Sequence, residues 1–155
     1  MLPARDQIHR RIYKLVDHWE GLRPSAKLLP GRQHFDPMEV PDLLPNIYLL
    51  AVVGDSARFQ FRLLGEAILS SGGPGRKGLF VDEIPRTDTK AYLHDQLTSL
   101  VKTHEPIWYK GPPTLRHHKD VMQLEGVMLP LAANGVDVDH CLCMTVYYWL
   151  SGRVT

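Results

Sequence analysis

Arg62 is the side chain with the clearest potential for binding chemistry. It lies in a stretch of strand character, Arg58 to Leu64, in which apolar and polar residues alternate. A guanidinium in such a position can hold a carboxylate or phosphate ligand through two parallel hydrogen bonds. The structural alternative is an internal ion pair with Asp36, Glu39 or Glu66, and perturbed charged groups are often structural. The ion pair is therefore favoured, and ligand binding by Arg62 is kept as the second interpretation.

Histidines and cysteines in the second half of the chain raise the question of a metal site. They are His117, His118, His140, Cys141 and Cys143, and Asp120 lies near the first two in sequence. Their spacing is unfavourable, because the sequence contains neither a Cys-x-x-Cys pair nor two histidines at helical i, i+4 spacing. The two cysteines lie two apart on a predicted strand, where they point to the same face and do not form an easy disulfide. We expect neither a metal nor an oxidising compartment.

Motifs of catalysis and nucleotide binding are absent from the sequence. There is no Gly-x-Ser-x-Gly and no clear acid pair. The glycine-rich stretch Gly72 to Gly78 ends in Arg-Lys-Gly, whereas a phosphate loop requires Gly-Lys-Ser/Thr at the start of a helix. We expect this stretch to be a surface turn, and the chain not to be an enzyme.

The composition describes one ordinary globular domain. The chain has 155 residues, 44% hydrophobic and 23% charged, and at this size a stable core requires no disulfide or metal. A formal net charge of +1 provides no field for nonspecific nucleic-acid binding. No run approaches the roughly 18 apolar residues of a membrane-spanning helix, and the amino terminus lacks a secretory signal pattern. We expect a cytoplasmic protein that binds neither nucleic acid nor membranes.

The first periodic segment, Arg5 to Leu22, predicts an amphipathic helix with one apolar stripe. Packing of this stripe on the helix's own domain is the simpler interpretation. A terminal helix is also a common docking place for a second subunit, and an apolar face larger than one small sheet needs is best hidden in a symmetric contact. We therefore predict a homodimer, with an interface formed by Ile8, Ile12, Leu15, Trp19 and Leu22.

The remaining segments predict an α+β fold with one antiparallel sheet. The predicted elements are a proline-rich connector at 25–46, strands at 47–53 and 58–64, a short helix at 66–71, a longer helix at 87–104, and strands at 107–110, 120–130 and 138–150. His104 falls on the apolar stripe of the longer helix. There it could face an interior pocket and change charge near neutral pH, although a hydrogen-bonded histidine at a helix end is the commoner case.

This order of elements resembles the PAS fold, in which five antiparallel strands are split two and three around a helical middle. The sequence blocks that carry the resemblance are Trp19 with Leu22-Arg23, Leu29-Pro30-Gly31-Arg32, Phe35-Asp36-Pro37, Leu43 to Leu49, Arg58 to Gly65, and Leu129-Pro130-Leu131. They are similar to blocks of small bacterial PAS-like domains and cover nearly the whole chain. The sequence is accordingly divided into an N-terminal helix, 1–24, and a PAS-like domain, 25–155.

The resemblance implies a stand-alone sensor or adaptor of bacterial signalling, in which a small ligand between sheet and helices changes how a protein partner is engaged. We expect no output domain in these 155 residues and expect the signal to leave through a partner surface. The pocket candidates are Arg62, Tyr48, Phe61, Leu97, His104 and Met122. Haem-binding PAS domains use a histidine on the helical side, which leaves His94 or His104 as a less favoured haem ligand.

The alternative function is a ligand-free scaffold that acts only through protein contacts. In that case apolar side chains fill the interior. The residues predicted to do so are Phe59, Phe61, Leu93, Leu97, Met122 and Met128.

Overall fold

The computed structural model describes residues 2–71, 76–84, 87–113 and 119–155, with the backbone alone at residues 87–90. Within these residues the centre of the fold is a five-stranded antiparallel sheet with the strand order β2-β1-β5-β4-β3. The strands are β1 (Ile47–Val53), β2 (Arg58–Leu64), β3 (Ile107–Gly111), β4 (Val121–Leu131) and β5 (His140–Trp149). This sheet, together with the helices, confirms the predicted α+β fold.

Three α-helices accompany the sheet in the described part of the chain: α1 (Arg10–Gly21), α2 (Glu66–Ser70) and α3 (Thr87–Thr103). The connector before β1 contains only short 3-10 turns, as its prolines require. One of these turns begins at Asp36, whose carboxylate accepts a hydrogen bond from the Met38 amide at 2.9 Å. No described helix is long and apolar enough to cross a membrane.

The alternation of side chains along each strand gives the sheet two faces. The inner face, on the side of α3, carries Cys141, Cys143 and Thr145 from β5, and Phe59 of β2 meets His94 of α3 there with ring centroids 5.6 Å apart. The outer face carries the intervening residues of β5, such as Leu142 and Met144. Both faces of the central strands are buried, so each must be covered by a separate element.

Helix α1 covers the outer face. Its apolar residues Ile12, Leu15 and Trp19 are at most 1% exposed and belong to the same hydrophobic cluster as the sheet. The Trp19 indole donates to the Pro130 carbonyl at 2.9 Å, which fixes the end of the helix against β4.

This packing differs from the predicted dimer interface. Ile8 is also buried and Leu22 is half-buried, so the stripe covers the chain's own sheet instead of standing free for a second subunit. The reason is that the outer face of β4 and β5 is itself apolar and needs a cover. An interface through this stripe would require α1 to leave the sheet; dimerisation itself stays a prediction.

Strand β2 departs from the predicted alternation at Arg62. Phe61 pairs with Leu50 and Leu63 pairs with Leu49, so the residue between them on β2, Arg62, has no partner on β1. Such a bulge reverses the side-chain alternation beyond it. Phe59 and Phe61 are buried as predicted. The alternation predicted for Arg58 to Leu64 would put Leu63 on the same face, and this is wrong, because Leu63 is 41% exposed.

Candidate functional site

A cluster of hydroxyl-bearing side chains lies on the inner face between the sheet and α3. The hydroxyls of Tyr109 on β3 and Thr145 on β5 are hydrogen-bonded at 3.1 Å. Tyr48 of β1 lies close enough to Tyr109 for each side chain to shift the pKa of the other. We call Tyr48, Tyr109 and Thr145 the hydroxyl cluster. The sheet brings its members together, because Tyr109 and Thr145 lie level with each other across β4, and Tyr48 pairs with Cys143, two residues from Thr145.

Gly126 of β4 makes room for the Tyr109 ring. It pairs with Tyr109 on one side and with Thr145 on the other. A Cβ atom at position 126 would lie 2.2 Å from the Tyr109 hydroxyl oxygen, far inside van der Waals contact. A glycine within a strand often marks such a close approach, which is the one signal in the sequence that could have pointed to Tyr109 and Thr145.

The hydroxyl cluster is electrically neutral. Burial raises the pKa of Tyr48 well above its usual value of 10.0 and that of Tyr109 to about 12, so both hydroxyls keep their protons at physiological pH. The neighbouring Cys143 thiol has its pKa raised by burial in the same way. Among the described buried residues the only carboxylate or basic side chain is Glu125, which faces the outer side.

A small cleft opens beside Tyr109. It has a volume of about 220 Å³ and is lined by Tyr92 of α3 and by Tyr109, Lys110, Gly111, Pro112 and Leu124 at the β3–β4 edge of the sheet. Leu124 is 4% exposed and supplies an apolar wall. Of the hydroxyl cluster, Tyr109 lines the cleft, and its hydroxyl is hydrogen-bonded to Thr145. The cleft also offers an aromatic and apolar surface from Tyr92, Pro112 and Leu124.

Three of the predicted pocket residues lie on or against the inner face. Tyr48 and Phe61 are neighbours with ring centroids 6.2 Å apart, and both are buried. Leu97 of α3 is fully buried. Phe59, Leu93 and Met128 are also buried, as the scaffold alternative predicts. Met122, which appears in both predictions, is 57% exposed because it falls at an irregularity in the pairing of β4 with β5.

Arg62 lies at the surface. It sits at the β2 bulge, its side chain is exposed, and within the described residues it makes no ion pair with Asp36, Glu39 or Glu66. The Asp36 carboxylate instead caps its 3-10 turn, and Glu39 lies 3.9 Å from His18. The predicted ion pair is thus absent from the described residues, and ligand binding by Arg62 stays a prediction.

The two histidines considered for haem are both exposed. His94 lies at the edge of Phe59, and its Nδ1 atom is 3.4 Å from the Thr98 hydroxyl on the same helix. His104 follows the end of α3 with a φ of 60°, so it terminates the helix instead of continuing its apolar stripe. His94 meets the inner face only at Phe59, on its rim, and both imidazoles are open to solvent. The residues present there do not fit an axial haem ligand.

The structure also describes some of the residues that were considered for a metal site. His117 and His118 lie outside the described residues, and within those residues no group of three histidine, cysteine or acidic side chains could hold a metal ion. His140 lies on the opposite face of β5 from Cys141 and Cys143. Both cysteines are fully buried and free, and burial raises the pKa of Cys141 to about 12.

Comparison with known proteins gives the family. A sequence profile of the family described as PAS domain matches residues 7–145, which include the hydroxyl cluster and the whole of α1. No curated protein and no solved structure matched the chain. PAS domains are in general sensor and interaction modules of signalling proteins. The strand order, the helices over the inner face and the extent of the match agree, and the chain belongs to the PAS domain family.

Proposed function

We propose that this PAS domain is a sensor that binds a small neutral ligand beside Tyr109 and passes its ligand state to a protein partner. The observation that carries the proposal is a cleft lined by Tyr109, whose hydroxyl is hydrogen-bonded to Thr145. Hydroxyls that only stabilise a core need no contact with a cleft. Here a cleft of about 220 Å³ is lined by one member of the hydroxyl cluster.

The charge of the site supports a neutral ligand. A carboxylate or ammonium group entering the inner face would lose its hydration without meeting a buried counter-charge, which is strongly unfavourable. A neutral group that donates and accepts hydrogen bonds can exchange partners with the hydroxyls of Tyr109 and Thr145. The aromatic walls favour a flat ring, since ring contacts add to the burial of apolar area.

The size of the cleft favours a ligand with one ring or a few more atoms. An apolar protein cavity of about 150 Å³ accommodates benzene. At about 220 Å³ the cleft has room for such a ring with a polar substituent. A ligand of this size would reach Tyr109 without displacing the apolar residues behind it.

A route for the signal runs through β3. The residues on either side of Tyr109 point to the outer face, where the Trp108 indole donates to Glu125 at 3.2 Å and the Lys110 ammonium lies 3.6 Å from the same carboxylate. Glu125 in turn accepts a hydrogen bond from the His9 amide at the start of α1. A ligand that moves Tyr109 would therefore disturb contacts that hold α1, and a partner could read that change.

Native mass spectrometry of the untagged protein, purified from cells, tests the proposal. We expect a non-covalent adduct of small mass on the wild-type chain. It should be lost or much reduced in Tyr109→Phe, which removes one hydroxyl of the cluster. Tyr13→Phe is the matched control, because Tyr13 is a half-buried tyrosine of α1 on the other side of the sheet. An adduct that survives Tyr109→Phe and is lost from the control would contradict the proposal.

A ligand-free scaffold is the second candidate, and the packing of the inner face favours it. Phe59, Phe61, Leu97 and Met128 are all at most 3% exposed, so the interior behind Tyr109 is already filled. A wild-type mass equal to that of the bare chain, together with a cooperative unfolding transition, would support the scaffold over the sensor.

A further inference from the structure

His9 joins the start of α1 to the sheet. It is the N-cap residue of the helix: its Nδ1 atom accepts a hydrogen bond from the Arg11 amide at 3.2 Å, and its carbonyl accepts one from the Tyr13 amide at 3.0 Å. Its own amide donates to Oε1 of Glu125 at 2.7 Å. One residue therefore caps the helix and attaches its first turn, residues 9–13, to β4.

Only the neutral imidazole can make this cap. With the proton on Nε2, the Nδ1 atom has a free lone pair that accepts from the Arg11 amide. Protonation of Nδ1 turns this acceptor into a donor that faces another donor. It also puts a positive charge at the N-terminus of a helix, where the helix dipole is unfavourable to cations.

Charged and titratable groups face the His9 ring from its own helix and from three strands. They are Arg10 and Arg11 of α1, Lys110 of β3, Glu125 of β4, and Tyr148 of β5, whose ring meets the imidazole edge-on with centroids 6.4 Å apart. Burial lowers the pKa of His9 below its ordinary value of 6.5; Glu125 opposes this shift, and the three cations add to it. The folded first turn thus favours neutral His9.

Glu125 keeps its charge while His9 titrates. Burial alone would raise the pKa of this carboxyl, but hydrogen bonds from the His9 amide, Tyr148 and Trp108, with the charge of Lys110, bring it below its usual 4.5. The pH response of the first turn therefore belongs to the imidazole and not to the carboxylate.

We propose that the first turn of α1 is a pH-sensitive contact, held on the sheet by neutral His9 and released when His9 takes up a proton. The sign follows from the lowered pKa: the cap is complete above the ordinary pKa of a histidine and is lost as the pH falls through the lowered value. Each opening of the first turn exposes Ile8 and Ile12, which are buried in the same cluster as the sheet residues, and such openings become more frequent in acid. This goes beyond the proposed function, since it requires no ligand.

Amide hydrogen exchange measured by NMR tests the proposal. Protection factors, which already correct for the intrinsic pH dependence of exchange, are compared for the Arg11 and Tyr13 amides between about pH 7.5 and about pH 5. For the wild-type chain we expect protection to fall about fivefold, the effect of losing one N-cap. The midpoint should coincide with the titration of the His9 ring, followed in the same samples.

Two variants make the test specific. His9→Asn keeps a good N-cap that does not titrate, so its first-turn protection should be independent of pH. His18→Gln removes the other histidine of α1, which lies at the edge of Phe35 and 3.9 Å from Glu39, and should keep the wild-type response. A pH-independent first turn in the wild type, a response that persists in His9→Asn, or one that disappears in His18→Gln would each overturn the proposal.

Discussion

On the inner face of the sheet, α3 lies over the three neutral residues of the hydroxyl cluster, one of which, Tyr109, lines a cleft. On the outer face, α1 lies over a carboxylate that is fully buried. The carboxylate of Glu125 accepts hydrogen bonds from the His9 amide, the Trp108 indole and the Tyr148 hydroxyl. The inner face thus combines exchangeable neutral partners with access to solvent. On the outer face the ionised Glu125 carboxylate is bound by several hydrogen-bond donors at once.

The difference indicates separate roles for the two faces. An ionised side chain in the interior is tolerated only where its donors stay in place, so the outer face requires α1 to remain seated. Neutral hydroxyls can exchange one partner for another at little cost, because each donates and accepts. Ligand binding is therefore expected on the inner face, whereas on the outer face α1 stays in place and protonation of His9 is proposed to affect only its first turn.

The largest expected effect is on the outer face, from Glu125→Ala. It leaves the His9 amide, the Trp108 indole and the Lys110 ammonium without their acceptor, and breaking a buried charged network in this way costs about 3–5 kcal/mol. The free energy of unfolding from urea denaturation measures it. Glu66→Ala, at an exposed acid of α2, is the control and should change stability by less than about 0.5 kcal/mol. Equal effects of the two substitutions would remove the distinction between the faces.

A smaller loss of stability is expected from Gly126→Ala, on the inner face. The added methyl group meets the Tyr109 ring, and overpacking of this kind costs about 1–3 kcal/mol. Gly111→Ala on the neighbouring strand is the matched control, because a Cβ atom there has nothing within 4 Å. Urea denaturation should show a loss for the first variant alone. If Gly126→Ala is as stable as the wild type, Tyr109 is not held where its hydroxyl meets Thr145.

The pH dependence of stability should also distinguish the faces. Because the pKa of Glu125 is lowered in the folded protein, its contribution to stability is present above its usual value of 4.5 and is lost as the pH falls through the lowered value. The free energy of unfolding of the wild type should fall in this acid range, and that of Glu125→Gln should fall less. Tyr109→Phe, which changes the neutral inner face, should follow the wild type; parallel curves for the wild type and Glu125→Gln would argue against an ionised Glu125.

The smallest effect is expected from Arg62→Ala. The guanidinium is exposed at the β2 bulge and pairs with none of the three carboxylates considered for it, so the free energy of unfolding should change by less than about 0.5 kcal/mol. The ligand adduct sought by native mass spectrometry should be retained as well. Loss of the adduct in a folded Arg62→Ala protein would move the ligand site from the inner face to the edge strand.

The sequence sufficed for the element order because periodicity and prolines act locally. The stripe of α1, the proline-rich connector and the alternation in β2 each follow from neighbouring residues. The positions of Arg62 and Leu63 could not be predicted, because a bulge depends on how two strands pair. The position of His104 could not be predicted for a similar reason. Helix α3 ends at Thr103, one residue before the predicted end, and the left-handed backbone of His104 takes its ring out of the apolar stripe.

The residues of the candidate site could be predicted only in part. The sequence places Tyr48, Phe61 and Leu97 inward, because an inward position on a strand or helix can be inferred from its pattern, and all three are buried. Tyr109 and Thr145 were missed, since their hydrogen bond joins β3 to β5 across the intervening strand β4. Sequence spacing gives no measure of that distance, and only the glycine between them, Gly126, marks the place where a ring had to fit.

The central claim is that ligand binding belongs to the inner face beside Tyr109. Phenol, a neutral ring with one hydroxyl, is a suitable probe, and its addition can be followed by amide NMR shifts across both faces. The predicted result is a saturable set of shifts at Tyr109, Gly111 and Leu124, which line the cleft, and at Thr145 behind it, all weakened in Tyr109→Phe. Saturable shifts confined to α1 or to the neighbourhood of Arg62, with the cleft residues unchanged, would contradict it.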